Sequence, residues 1–178
     1  IGKIRSEENI LWSFAPHDLS MLLALVGEQP DRVTAEGATF LTHRVPDVTT
    51  THLSFPSGPR AHVFVSWLHP FKEQRLVVVG SDAMAVFDDL QPWSEKLRVY
   101  EHGVRWDHGQ PVPVRAEATP IALDDAEPLR LECEHFLDCV ATRTRPRTDG
   151  AEAVWVLRVL AVAPSALVRG EVAPAAGG

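Results

Sequence analysis

The sequence predicts an α+β fold, an open and largely antiparallel β-sheet with helices packed on one face. Two observations predict it. A run of short alternating segments separated by turn residues fills the middle of the chain, and the segments with helical periodicity lie before and after that run. Helices segregated from strands in this way argue against alternating βαβ units and for a meander covered on one side.

The first helix reads from His17 to Val26, with Pro16 in its first turn and Gly27 ending it. Leu19, Leu22, Leu23 and Val26 follow the i, i+3, i+4, i+7 spacing of a buried stripe. Strands follow at 33–41 and 48–55, and Pro56-Ser57-Gly58-Pro59 reverses the chain into a strand at 61–68. Its period of two places Ala61, Val63, Val65 and Trp67 on one face, and His62, Phe64, Ser66 and Leu68 on the other. A hairpin joins 75–79 to 83–87 across Gly80-Ser81-Asp82, and a second joins 97–100 to 104–106 across His102-Gly103. The last strand is expected at 112–119. A helix at 127–142 carries the stripe Leu129, Cys133, Phe136, Leu137 and Val140. A helix at 149–162 carries Val154, Leu157, Leu160 and Ala161, opens on an Asp149/Glu152 capping box and stops at Pro164. Residues 1–163 are then one domain and 164–178 a tail, disordered over the Pro- and Gly-rich end 173–178.

Composition narrows the function. The 178 residues are 45% apolar and 23% charged, an ordinary globular balance with room for a core. The net charge of -7, with Arg143, Arg145 and Arg147 as the single basic cluster, argues against a nucleic-acid partner. No apolar run approaches a membrane span and no export signal is visible. Cys133 and Cys139 lie six apart on a helix, too far round it to bridge, and free thiols suit the cytoplasm. A chain beginning at Ile1 reads as the continuation of a longer protein.

Standard chemical signatures are missing. There is no G-x-G-x-x-G, no P-loop, no G-x-S-x-G elbow, no H-E-x-x-H and no paired C-x-x-C. His43, His52, His62, His69, His102, His108 and His135 show no metal-ligand spacing, and Asp88-Asp89 reads as a strand end. Two segments carry candidate chemistry. In Trp12-Ser13-Phe14-Ala15-Pro16-His17-Asp18, His17 points away from the leucine stripe, at a helix N-terminus whose dipole disfavours imidazolium. It reads either as a neutral base able to take a proton from an alcohol or as a surface or capping histidine. In Ser66-Trp67-Leu68-His69-Pro70-Phe71-Lys72-Glu73, Trp67 offers a flat face to a sugar and Lys72 a charge to a phosphate. The other reading is a strand end with Trp67 in the core and Lys72-Glu73 solvated.

The helix with its aliphatic stripe and His17-Asp18 resembles the start of the C-terminal domain of the glucose–fructose oxidoreductase/inositol dehydrogenase (Gfo/Idh/MocA) family. Ser66-Trp67, then Val77-Val78-Val79-Gly80 and Ala85-Val86-Phe87-Asp88, is similar to that family's strands and hairpin, with Ala83 in place of a second glycine. Pro146-Arg147-Thr148-Asp149-Gly150 and the short stretch with Ser165, Gly170 and Val172 resemble its closing segment. The resemblance implies an N-terminal Rossmann domain, outside this chain, that binds NAD or NADP. It implies an open sheet that shapes a substrate pocket and forms a homo-oligomer interface. It implies proton transfer by a lysine on the Rossmann side and by His17. The family often has Asp four residues before the histidine, where this chain has Ser13; Asp18 is an alternative carboxylate.

Trp12–Asp18 and Ser66–Gln74 look most like the branch acting on nucleotide-activated amino sugars. The implied reaction is oxidation of a ring hydroxyl of a UDP-N-acetylhexosamine-like substrate, for surface polysaccharide or lipid A synthesis. His17 is then acid/base, and Ser13, Asp18, Trp67, His69 and Lys72 bind substrate. The fragment alone is expected to be inactive. The competing expectation is a non-catalytic interaction or scaffold domain that keeps the fold.

Overall fold

The computed structural model describes residues 8–41, 45–169 and 173–174. In chain order the elements are α1 (Ile10–Val26), β1 (Arg32–Ala38), β2 (Val48–Ser54), β3 (Arg60–Ser66), β4 (Arg75–Val79) and β5 (Met84–Asp88). Then come β6 (Leu97–Tyr100), β7 (Gly103–Asp107), β8 (Gln110–Val114), β9 (Ala118–Ile121), α2 (Pro128–Thr142) and α3 (Gly150–Arg169). They form two compact units. One holds the chain up to Phe71 and again from Arg143, the other Lys72–Thr142. Among the described residues every strand pairing is antiparallel, so the α+β class stands, with these strands bonded in three separate sheets.

In the first unit β1, β2 and β3 pair in full register, with Val33 opposite Leu53 and Thr51 opposite both Ala35 and Val63. Alternation puts Val33, Ala35, Leu53, Val63 and Val65 on one face, and that face is buried beneath α1 and α3. The other face leaves His52, His62 and Phe64 exposed. Residues 173–174, expected in a disordered tail, pair instead with Arg32 and Val33 at the β1 edge. His43, Gly170, Val172 and 175–178 lie outside the described residues.

α1 begins seven residues before the predicted start. Asn9 caps it by accepting from the Trp12 amide at 3.2 Å, and Ile10, Leu11 and Ala15 extend the buried stripe upstream. Pro16 therefore lies inside the helix, not in its first turn. It removes one backbone bond, and burial of six apolar side chains along the helix offsets that loss. Gly27 ends the helix in the left-handed region at φ 77°, donating to Leu23 O at 2.8 Å.

α3 likewise runs past Pro164 to Arg169, where a stop was expected. Its buried stripe is Val156, Val159, Leu160 and Ala163, displaced from the predicted one. Val154 and Leu157 are exposed. Asp149 caps it, its Oδ1 accepting from the amides of Ala151 and Glu152 at 2.9 and 3.0 Å. The capping role explains an aspartate before Gly150.

In the second unit the sheet order is β4-β5-β6-β9, with β7 and β8 forming a separate hairpin. That hairpin turns on His108-Gly109, both at positive φ (48° and 78°), and not on His102-Gly103. The pair of positive φ values is the geometry of a type I′ turn. The expected strand 112–119 divides between β8 and β9. No described side chain of this unit is fully buried. The predicted stripe of α2 is exposed at Leu129, Phe136, Leu137 and Val140. Cys133 and Cys139 are free thiols.

Candidate functional site

His17 lies two turns inside α1, because the helix starts at Ile10. The dipole argument from the sequence therefore falls, since the dipole acts mainly within the first turn. What the helix does supply is a face. Ser13, His17 and Ser20 follow i, i+4, i+7 on the side away from the sheet. His17 is exposed, both serines are half-buried, and exposed Phe14 and Met21 flank them.

Each serine is held by a carboxylate. Ser13 Oγ donates to Glu8 Oε1 at 2.8 Å. Ser20 Oγ donates to Glu152 Oε1 at 2.5 Å, which joins α1 to α3. Glu152 thus reaches across to α1, so only the Asp149 half of the predicted capping box forms. Asp18 borders the buried stripe between Ala15 and Leu22 and is half-buried itself. Burial pushes its carboxyl up from the usual carboxylate range, against the pull of neighbouring His17.

Within the first unit, Trp67 and His69 do not gather round His17. Trp67 is 1% exposed and belongs to the core, so it has no face free for a sugar. It shares its strand face with Val63 and Val65, which puts it under α1. His69 packs between Phe64 and Phe71, with ring centroids 5.6 and 5.8 Å away. Phe64 points to the uncovered face of the sheet, so His69 stands on the side opposite α1. Lys72 belongs to the second unit, where its Nζ pairs with Asp89 Oδ2 at 3.0 Å. Lys96 holds the other Asp89 oxygen at 2.7 Å, and these two ammonium groups keep that carboxyl below its ordinary range.

One residue that sequence reasoning missed braces this region. Asp47 is fully buried, and its Oδ2 accepts from the amides of Phe40 and Leu41 at 2.6 and 2.7 Å. Its carbonyl accepts from Trp67 N, and the adjacent Pro46 carbonyl accepts from Ile10 N at the start of α1. The Pro-Asp pair before a strand was the available signal.

A cavity of about 410 Å³ lies in the second unit, on the face of β4, β5 and β6 that carries Arg75, Val77, Val86 and Arg98. Its guanidiniums are already engaged, Arg75 with Asp88 and Arg98 with Glu95, both at 2.9 Å. Among the described residues no cluster of three or more His, Cys, Asp or Glu is arranged to hold a metal. No helix among them is long and apolar enough to cross a membrane.

Residues 3–86 match the model of the GFO/IDH/MocA C-terminal domain. Over these residues the chain resembles the C-terminal domain of the GFO/IDH/MocA family. It is 30% identical over 155 residues to the UDP-N-acetylglucosamine 3-dehydrogenase of Acidithiobacillus ferrooxidans, covering 87% of this chain and 46% of that protein. The solved structure of that enzyme superposes with a TM-score of 0.77 at 25% identity, over 93% of this chain and 51% of the other. An aldose-aldose oxidoreductase from Caulobacter crescentus shares the fold with a TM-score of 0.72 at 21% identity, covering 94% and 48%. The chain thus spans about half the length of the relatives it matches.

Proposed function

We propose that this chain is the substrate-side domain of an NAD(P)-dependent dehydrogenase that oxidises a ring hydroxyl of a nucleotide-activated sugar of the UDP-N-acetylhexosamine kind. The observation that carries the reading is His17, an accessible imidazole centred on a polar helix face with Phe14 and Met21 beside it. The 30% identity to a UDP-N-acetylglucosamine 3-dehydrogenase supports the substrate class.

A nicotinamide, when bound, supplies the hydride acceptor. The described residues do not fit its pyrophosphate, since among them no glycine-rich turn leads from a strand into a helix. A dinucleotide-binding domain outside these 178 residues holds it in the proposed enzyme. His17 does what this chain can do: it takes the hydroxyl proton as the carbinol carbon loses its hydride, and returns it in the reverse direction. Phe14 and Met21 give the sugar an apolar edge to lie against, the role the sequence assigned to Trp67. The uncovered sheet face with His52, His62, Phe64 and His69 is the proposed surface for a second copy. The product of such a step is a keto sugar suited to amination for cell-surface polysaccharide or lipid A, made in the cytoplasm.

The test is His17→Ala in the complete protein. Turnover is expected to fall about 10²-fold or more, the usual contribution of a general acid/base, with cofactor affinity unchanged. Turnover equal to the parent overturns the assignment.

A further inference from the structure

We propose that His135 and Cys139 form a binding site for a zinc-like divalent metal ion on α2. The site lies in the second unit and is independent of the role given to His17. The two residues are four apart in a 15-residue helix, so their side chains stand one above the other on the same side. That is the spacing at which a helix presents two ligands to one ion. The histidines compared among themselves show no such spacing, because the second ligand is a thiol.

The two side chains already converge. Cys139 Sγ is 3.6 Å from His135 Nε2 and 3.9 Å from its Nδ1. A tetrahedral zinc ion, with Zn–S of about 2.3 Å and Zn–N of about 2.0 Å, holds its sulfur and nitrogen about 3.5 Å apart. The sulfur–nitrogen separation is therefore that of a chelate. Sulfur stands nearly equidistant from both ring nitrogens, so a turn of the ring about its soft χ2 torsion brings one lone pair onto the shared ion. The helix itself does not have to move. Both residues are half-buried, which limits competition from water.

Thiolate and neutral imidazole are the ligand forms. As the sulfur–metal bond forms, the thiol proton leaves to solvent and the metal keeps its oxidation state. This ligand pair selects zinc and its neighbours over magnesium and calcium, which prefer oxygen. Glu132, one turn before His135, and Asp138 add negative charge beside a cation. They are not counted as ligands, since among the described residues no group of three His, Cys, Asp or Glu is arranged to hold a metal. The remaining positions of the ion go to water. Bound in this way, the ion clips one turn of α2 to the next and covers the Cys139 thiol.

Cys133 provides the internal control. It is an exposed thiol on the same helix, two residues before His135 and about 200° round from it, so it cannot share the ion.

The experiment uses the complete protein, reduced and freed of metal, at about pH 8, near the ordinary cysteine value of about 8.5. Alkylation by iodoacetamide is followed at each cysteine by mass spectrometry. Zn²⁺ in slight excess over the protein's thiols should slow modification of Cys139 at least about tenfold, since only the metal-free thiol reacts, and leave Cys133 unchanged. His135→Ala should remove that protection, because losing one of two chelating ligands weakens binding about 10²-fold. Co²⁺ as a spectroscopic probe should give a thiolate-to-metal charge-transfer band that is lost in Cys139→Ser and kept in Cys133→Ser. Far-UV circular dichroism reports whether the helix persists in each variant. Zinc that protects neither thiol, that protects both alike, or that protects Cys139 equally well in His135→Ala overturns the proposal and leaves the pair as a thiol–imidazole hydrogen bond.

Discussion

Replacing Trp67 with alanine removes the largest fully buried side chain of the first unit. Truncations of buried aromatic residues cost about 3–5 kcal/mol, and at 1% exposure Trp67 should lie in that range. The structure also sets a second, smaller expectation. The indole Nε1 is buried without a partner among the described residues. An orphaned donor costs about 1–3 kcal/mol, so Trp67→Phe trades lost contact area against relief of that penalty. It should fall within about 1.5 kcal/mol of the parent. The assay is amide hydrogen exchange read in α1 and β2, which report on this unit without interference from the other. Alanine should reduce protection by the larger amount and phenylalanine by little. An alanine variant that loses less than about 1 kcal/mol, or a phenylalanine variant as damaged as the alanine one, would refute a core role and restore the surface platform.

Four further outcomes follow from the same geometry. Pro16→Ala restores a backbone bond to the Trp12 carbonyl and should raise the stability of the first unit by about 1–3 kcal/mol; a loss in thermal unfolding would show that the half-buried proline ring packs better than the bond it forfeits. Gly27→Ala should lose about 1–2 kcal/mol in urea unfolding from strain alone, because φ is 77° and nothing lies within 4 Å of an added Cβ. Asp18 has its pKa raised on folding, so its ionisation favours the unfolded chain above that value, and the penalty vanishes below its ordinary range. Asp18→Asn should therefore unfold at a higher temperature than the parent near neutrality, with the gap closing as pH falls through the carboxylate range. Amides of β4, β5 and β6 should exchange faster than those of β1, β2 and β3, since the second unit has no fully buried side chain; equal protection in the isolated chain would contradict this.

The strands of the first unit were legible because one face had to be buried and the period of two leaves no choice of partner residues. The helices were legible in kind but not in extent. At Pro16 a local rule, proline as boundary, competed with apolar residues that continue on both sides, and packing won; at Pro164 the helix likewise continues, to Arg169. In α3 the residues 154, 157 and 161 and the residues 156, 159, 160 and 163 are both apolar rows at helical spacing. Periodicity finds both rows and cannot say which one meets the sheet. The hairpin error has the same origin. The chain carries two His-Gly pairs, and only the second is followed by a strand free to pair back, since β6 takes β9 as its neighbour.

At the candidate site, alternation already held the answer for Trp67. A residue in phase with Val63 and Val65 goes where they go, and they face the helices. The aromatic that remains accessible beside His17 is Phe14, three residues earlier on the same helix. The carboxylates were beyond reach for a different reason. Ser13 looks, from the sequence, like the loss of an ionisable partner for His17. Glu8 stands five residues away across the helix cap, and Glu152 arrives from 132 residues further along the chain. A helix wheel describes which side chains share a face, but not what other elements bring to it.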